Sequence, residues 1–259
     1  FQAEDGIRDF CLSRGLGDVY KRQDQYIVEL GLAESRNMAQ ELIKEGSVSL
    51  NEEICNKPSK DIKKGARVSV VKKKQWVSRG GKKLFDALKS FEIDVVGKTA
   101  LDVGSSTGGF TQVLLQEGAE KIVAVDVGTN QMHQSLRNVP SISILEQTDI
   151  RDISSKLVDF FDLVVVDVAF ISIEKVIKDI QVTAKKGGDI VVLYKPQFEA
   201  GKKNISKNGL VKKETEVQKM LGDFLNTLDQ SSLHFVQSKN AYIKGKKGNQ
   251  EIFVHLIRR

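Results

Sequence analysis

What the chain lacks narrows its chemistry first. Two cysteines in 259 residues, Cys11 and Cys55, make neither a disulfide framework nor a pair at metal-ligand spacing. The histidines, His133, His234 and His255, are scattered, so no metal site is expected. No apolar run reaches the roughly 18 residues of a membrane span. The richest, "LVVVDVAFISI" from Leu163, is broken by Asp167 and reads as a buried strand. The one glycine-rich turn that follows a strand has neither the Gly-x-Gly-x-x-Gly spacing nor a Gly-Lys-Ser/Thr ending, which counts against pyrophosphate binding and a nicotinamide-dependent dehydrogenase. A reducing, cytoplasmic setting fits this composition.

What is present is positive charge, unevenly placed. Lys and Arg total 40 against 34 Asp and Glu, for a formal charge of +6. Eleven basic residues and one acid, Asp61, lie between Lys57 and Lys83. Two more basic stretches, from Lys195 and from Lys239, sit in the half that carries the chemistry below. A single lysine run is usually a solvated face; three of them point to a polyanion such as nucleic acid.

The chain divides by pattern. Residues 1–23 show no sustained period and resemble translated sequencing-adapter read-through; they are expected to stay outside the fold. From Asp24 to Lys73 a small unit is expected: Tyr26, Ile27, Leu30 and Leu32 share one helical face, and Ser35 caps a second helix carrying Met38, Ala39, Leu42 and Ile43. Gly46 ends that helix, and "SVSLNEEI" and "ARVSVVKKK" read as strands. "GLAESRNMAQELIKEGSVSLN" and "NKPSKDI" resemble the S4 RNA-binding domain. The resemblance implies an RNA-facing surface with Arg36, Gln40 and Lys44 on the second helix and Asn51 in the turn, touching mostly phosphate and sugar.

Residues 74–77 read as a linker, and 78–259 as an α/β domain with a doubly wound, Rossmann-like sheet. "TALDVG", "KIVAVDVG", "SISILEQT", "FDLVVVDVAF" and "DIVVLYKP" are short β-rich runs separated by amphipathic segments, and the last two runs can form an antiparallel edge. "LDVGSSTGGF" puts Gly104, Gly108 and Gly109 on the first strand-to-helix turn, which suits either close backbone approach to a ligand or a tight connection. Asp126 ends the second strand where a carboxylate can meet ribose hydroxyls, and Asp149 follows the third, at an adenine edge or as a helix cap. Together the three sites suggest an adenosine pocket.

That combination resembles the S-adenosylmethionine-dependent methyltransferase fold. "WVSRGGKKL", "LDVGSSTGGFTQVLLQEGA", "VDVG", "SLRNVP", "DLVVVDVAFIS", "YKPQFEAG" and "GNQEIF" together resemble the TlyA family, rRNA 2′-O-ribose methyltransferases of the FtsJ type once named as haemolysins. The resemblance implies a Lys-Asp-Lys-Glu tetrad at Lys83, Asp167, Lys195 and Glu251. It also implies S-adenosylmethionine contacts at Asp102, Gly104, Ser105, Gly108, Gly109, Phe110, Asp126 and Asp149, and cytidine in ribosomal RNA or ribosomal subunits as acceptor. Here the linker reads Lys74-Gln75-Trp76-Val77 where the family has Arg-x-Trp-Val, and Ala169 stands where it has serine.

Physical chemistry supports the tetrad. A ribose 2′-OH is a poor nucleophile until its proton is taken or shared, and an acid inside a buried apolar strand, as at Asp167, is costly unless paired. Lys195 is expected beside the hydroxyl. Leu84, Ala87, Leu88 and Phe91 mark the buried face of the helix after Ser78, which turns Lys82 outward and leaves Lys83 able to reach inward. Arg79 and Lys82 are then expected phosphate contacts. A monomer without membrane association is expected; an inert RNA-binding protein and a pore-forming haemolysin are the competing readings.

Overall fold

The structure is a computed structural model that describes residues 20–33, 35–44, 46–51, 53–63, 65–70, 76–201, 204–228 and 232–259. The chain divides into two compact units between residues 75 and 76. The expected leader at residues 1–19 and the linker residues Lys74 and Gln75 lie outside the described residues.

The small unit runs β1 (Tyr20–Arg22), α1 (Gln23–Glu29), α2 (Arg36–Lys44), β2 (Val48–Leu50), β3 (Glu53–Ile54), β4 (Asp61–Lys63) and β5 (Val68–Val70). Strands β3, β2 and β5 form an antiparallel sheet, and β1 pairs with β4. Ile27, Ala39, Leu42, Ile43 and Val48 make its core. Two expectations fail here. Tyr20–Gln23, assigned to the leader, supply a strand and the first helical residue, and Gln23 is buried. Leu30 and Leu32 are exposed rather than packed, because α1 stops at Glu29 and Gly31 turns the chain with φ +69°.

The larger unit opens with α3 (Arg79–Ser90) and alternates β6 (Thr99–Val103), α4 (Gly109–Gln116), β7 (Lys121–Val125), α5 (Gln134–Arg137), β8 (Ile142–Leu145), α6 (Ile150–Ile153), β9 (Phe161–Val166), α7 (Ile177–Thr183) and β10 (Ala184–Tyr194). It closes with α8 (Pro196–Glu199), α9 (Glu214–Leu228), β11 (Leu233–Asn240) and β12 (Ile252–Arg258). The seven strands lie in the order β11-β12-β10-β9-β6-β7-β8; β12 runs antiparallel to both β10 and β11, and the other pairs are parallel. From β6 the chain winds outward through β7 and β8, then returns to β9 on the other side. The carboxyl ends of β6 and β9 therefore flank the switch point where such sheets bind ligands.

Strand alternation fixes which residues share a face. Leu101, Val164, Val166, Ile190, Val192, Tyr194 and Val254 pack into one core, on the side that includes Phe224 of α9. Ala100, Leu163, Val165, Val191, Leu193 and Phe253 pack into the other, with Leu84 and Leu88 of α3 and Val113 and Leu114 of α4. Continuing the second parity by one step puts Asp102, Asp167, Lys195 and Glu251 on the face that carries α3. The sheet thus delivers three acids and a lysine toward the helix bearing Lys83.

Candidate active site

A cleft of about 390 Å³ opens at the switch point, lined by Gly104, Asp126, Val127, Asp149, Ile150 and the stretch from Asp167 to Ile171, among others. Gly104 has φ +85°, and a Cβ there would stand 2.7 Å from the carbonyl oxygen of Asp167. Only glycine lets the turn after β6 lie against the end of β9, which joins the cleft floor to Asp167.

Two ion pairs meet around Asp167, which lines the cleft. Lys195 Nζ lies 2.6 Å from Asp167 Oδ1, and Lys83 Nζ donates to Glu251 Oε2 at 2.6 Å, with both members of the second pair buried. Burial pushes the Asp167 carboxyl above its usual range; Lys195 and Lys83 oppose that shift and Glu251 adds to it. The four expected tetrad residues are thus brought into one electrostatic cluster. Lys82 is exposed and Lys83 is 7% exposed, the split expected of their helical phases.

The segment "KPQFE" ties the cluster together. Pro196 starts the one-turn helix α8, and three of the side chains around it reach the segment after β9 while the fourth reaches Glu251. Lys195 meets Asp167; Gln197 Nε2 donates to Glu251 Oε1 at 3.3 Å; Phe198 lies 5.2 Å from Phe170, ring to ring. The Glu199 carboxylate accepts from Ser172 Oγ at 2.6 Å and from the Ile173 amide at 3.0 Å, pinning the loop after β9. Burial raises the Glu199 carboxyl above its ordinary value despite those bonds. Sequence reasoning missed Gln197, Glu199 and Phe170; their one signal was adjacency to Lys195 and Asp167. Phe170 is 92% exposed with φ +65°, an apolar ring held at the cleft edge in a backbone region that phenylalanine rarely adopts.

The expected cofactor residues separate. Gly104, Asp126 and Asp149 line the cleft. Asp126 accepts the amides of Gly128 at 2.7 Å and Ser106 at 2.8 Å, leaving one lone pair free on each oxygen. Asp149 caps α6 through the Arg151 amide, and the Arg151 guanidinium holds its carboxyl below the usual range. Asp102, Ser105, Gly108, Gly109 and Phe110 are buried and do not line the cleft. Asp102 accepts from Thr111 Oγ1 at 2.6 Å, and Phe110 packs on Phe253.

Gly109 serves packing. A Cβ there would meet the Gly81 nitrogen at 2.9 Å and the Ser78 side chain, while a Cβ on Gly81 would meet Gly109 O at 3.0 Å and Trp76 at 2.9 Å. The glycines let α3 and α4 touch, which sets the depth of Lys83. Ser78 occupies the cap position of α3 without a side-chain cap bond.

The expected RNA contacts separate too. Arg36 and Lys44 are exposed on α2, while Gln40 is half-buried and donates to Asp24 Oδ2 at 2.8 Å. Arg36 also reaches Asp24, at 3.1 Å. Asn51, with φ +48°, accepts from the Arg67 amide. Arg79 is exposed and donates to Lys244 O at 3.3 Å. Among the described residues no cluster of His, Cys, Asp and Glu could hold a metal ion, and no helix is long and apolar enough to cross a membrane.

A ligand cleft at the switch point of a doubly wound sheet, with an aspartate on its wall that pairs with a lysine, fits a methyltransferase domain, which follows a small module in the sequence. Residues 76–258 match the FtsJ-like methyltransferase family and residues 22–68 match the S4 domain. The chain is 39% identical, over 91% of its length and 89% of the relative's, to the 16S/23S rRNA (cytidine-2′-O)-methyltransferase TlyA of Mycobacterium tuberculosis. It is 40% identical to the 23S rRNA (cytidine-2′-O)-methyltransferase TlyA of Campylobacter jejuni, over 71% of each chain. A solved structure from Streptococcus thermophilus, described as a hemolysin, matches with a TM-score of 0.66 at 32% identity, covering 93% of this chain and 90% of that one. The chain belongs to the TlyA group of FtsJ-like methyltransferases.

Proposed function

We propose that this chain transfers a methyl group from S-adenosylmethionine to the ribose 2′-hydroxyl of a cytidine in ribosomal RNA, in the cytoplasm, with the S4 module engaging the RNA. The observation that carries the reading is the convergence of the Lys195–Asp167 and Lys83–Glu251 pairs on one cluster, whose Asp167 lines a nucleoside-sized cleft. The cleft suits adenosine: Asp126 keeps lone pairs for ribose hydroxyls, and Val127 and Ile150 offer apolar walls near Asp149. Gly104 lets the backbone lie close to the ligand.

Bound there and held by Gly104, Asp126 and Asp149, S-adenosylmethionine would supply an electrophilic methyl group. Lys195, as the neutral amine, takes the proton of the acceptor hydroxyl and becomes the ammonium that Asp167 holds. Glu251, held by Gln197 and Lys83, keeps the second ammonium in register, so the acceptor oxygen meets a preset geometry rather than a mobile one. The exposed Phe170 ring offers a face for the acceptor base once that nucleotide leaves its stack. Arg36, Lys44, Asn51, Arg79 and Lys82 remain the candidate backbone contacts, with Arg36 shared with Asp24.

Transfer of labelled methyl groups to isolated small and large ribosomal subunits, followed by mapping of the modified sugar, tests the reading. A 2′-O-methylcytidine is expected. Methylation of a base, or of neither subunit, contradicts it.

A further inference from the structure

We infer that Tyr242 and Lys82 form a stacking seat for the nucleotide next to the acceptor, with its phosphates held by the lysines of the loop at residues 242–248. The inference rests on the RNA methyltransferase reading and adds a binding site to it. Tyr242 is 74% exposed, and Lys82 Nζ lies 5.5 Å from its ring centroid. An aromatic face beside a cation, in a loop with exposed Lys244, Lys246 and Lys247, matches what a base and its flanking phosphates require. Among the described residues, none of these four lysines has a carboxylate within ion-pair distance.

The seat is braced against the tetrad from both sides. Lys82 precedes Lys83. On the loop side, the Ala241 amide donates to Glu251 O at 2.8 Å, and a Cβ on Gly245 would stand 2.5 Å from Glu251 Oε1. Asn249, 7% exposed, accepts from the Val211 amide at 3.0 Å and donates to Gly209 O at 2.8 Å, while Arg79 donates to Lys244 O. The ring is therefore carried on a fixed loop, one residue from the backbone bond that ties Ala241 to Glu251 of the tetrad. An acidic peptide would use the same lysines but would leave the ring face unused.

The test titrates the full chain into a short single-stranded, cytidine-containing oligoribonucleotide carrying 2-aminopurine, whose fluorescence falls on stacking. Tyr242→Phe is expected to bind and quench like the parent, and Tyr242→Leu to bind about tenfold more weakly with most of the quenching lost. Lys82→Ala is expected to keep the quenching while the slope of log K against log salt falls by about 0.7. Unchanged S-adenosylmethionine affinity in each variant shows that the fold is intact. Parental binding and quenching by Tyr242→Leu overturns the seat, as does an equal loss of affinity for a polyglutamate peptide. Methyl transfer to ribosomal subunits is read in parallel. Active parent protein with an unchanged KM for subunits in Tyr242→Leu sinks the seat alone; an inactive parent whose quenching still depends on Tyr242 sinks the activity and leaves the seat.

Discussion

Asp24 in the small unit and Asp102 in the catalytic unit are both fully buried, yet their charges are answered differently. Asp24 accepts from Arg22, Arg36 and Gln40. Burial alone would raise its carboxyl, but these three donors outweigh burial and hold it well below the usual range. Asp102 has Thr111 as its partner on one oxygen, while the other has none among the described residues. Burial, with the fields of Asp167 and Asp126, pushes it up to about 7, and the Thr111 bond only partly offsets this. Donors, not depth, decide whether a buried acid stays ionised. Asp167 stands between the two: half-buried and raised, with a lysine in contact, and so the acid placed to hold that lysine.

The contrast can be broken at each acid. The largest effect is expected for Asp167→Asn, which removes the charge that fixes Lys195: methyl transfer should fall by about 10²–10⁴ at saturating substrates. Because the parent carboxyl is raised, the acid limb of its pH–rate profile should lie above the ordinary carboxylate range.

The next effect is on stability. A group whose folded pKa exceeds its unfolded value binds a proton on folding, so the stability it contributes falls as pH rises. For Asp102 that window runs from about 4 to about 7. Three units at about 1.4 kcal/mol each set an upper bound of about 4 kcal/mol. Asp102→Asn should remove the slope and leave the catalytic unit more stable at pH 7, which chemical denaturation across that range would measure. Asp24 has the opposite sign, its contribution present above the ordinary aspartate pKa and lost as pH falls through its lower folded value. Asp24→Ala should cost about 2 kcal/mol, seen as faster amide exchange at Ile27 and Ile43 of the small unit. The smallest effect is expected for Glu199→Gln, which keeps one acceptor: kcat should fall about fivefold, with faster exchange of the Ile173 amide and an unchanged melting temperature.

The same contrast shows what the sequence could reveal. The doubly wound sheet was legible because "LVVVDVAFISI" and "DIVVLYKP" are strand runs whose alternation also carries Asp167 and Lys195 to one face. Helical phase separated Lys83 from Lys82, while the place of Lys83 in the tetrad came from the family resemblance. The roles of Gln40 and Asp102 were not legible. A side chain at proper helical spacing looks free until a distant acid takes it, and Gln40 meets Asp24 across 16 positions. Asp102 lies in a strand that suggests a ligand contact, yet it sits inside β6 and meets Thr111, while Asp167 on the same face lies past the end of β9 and reaches the cleft. Tyr20–Arg22 escaped notice because their pairing partners, Asp61–Lys63, lie some forty residues on. Arg22 of that stretch is one of the three donors to Asp24.

Single-turnover methyl transfer by Lys195→Met, with S-adenosylmethionine affinity measured on the same protein, tests the center of this account most directly. The substitution keeps the length of the side chain and removes the group proposed to handle the acceptor proton. The expected result is transfer at least about 100-fold slower with cofactor affinity unchanged. Transfer at the parental rate would contradict the assignment of Lys195 and the tetrad built around it.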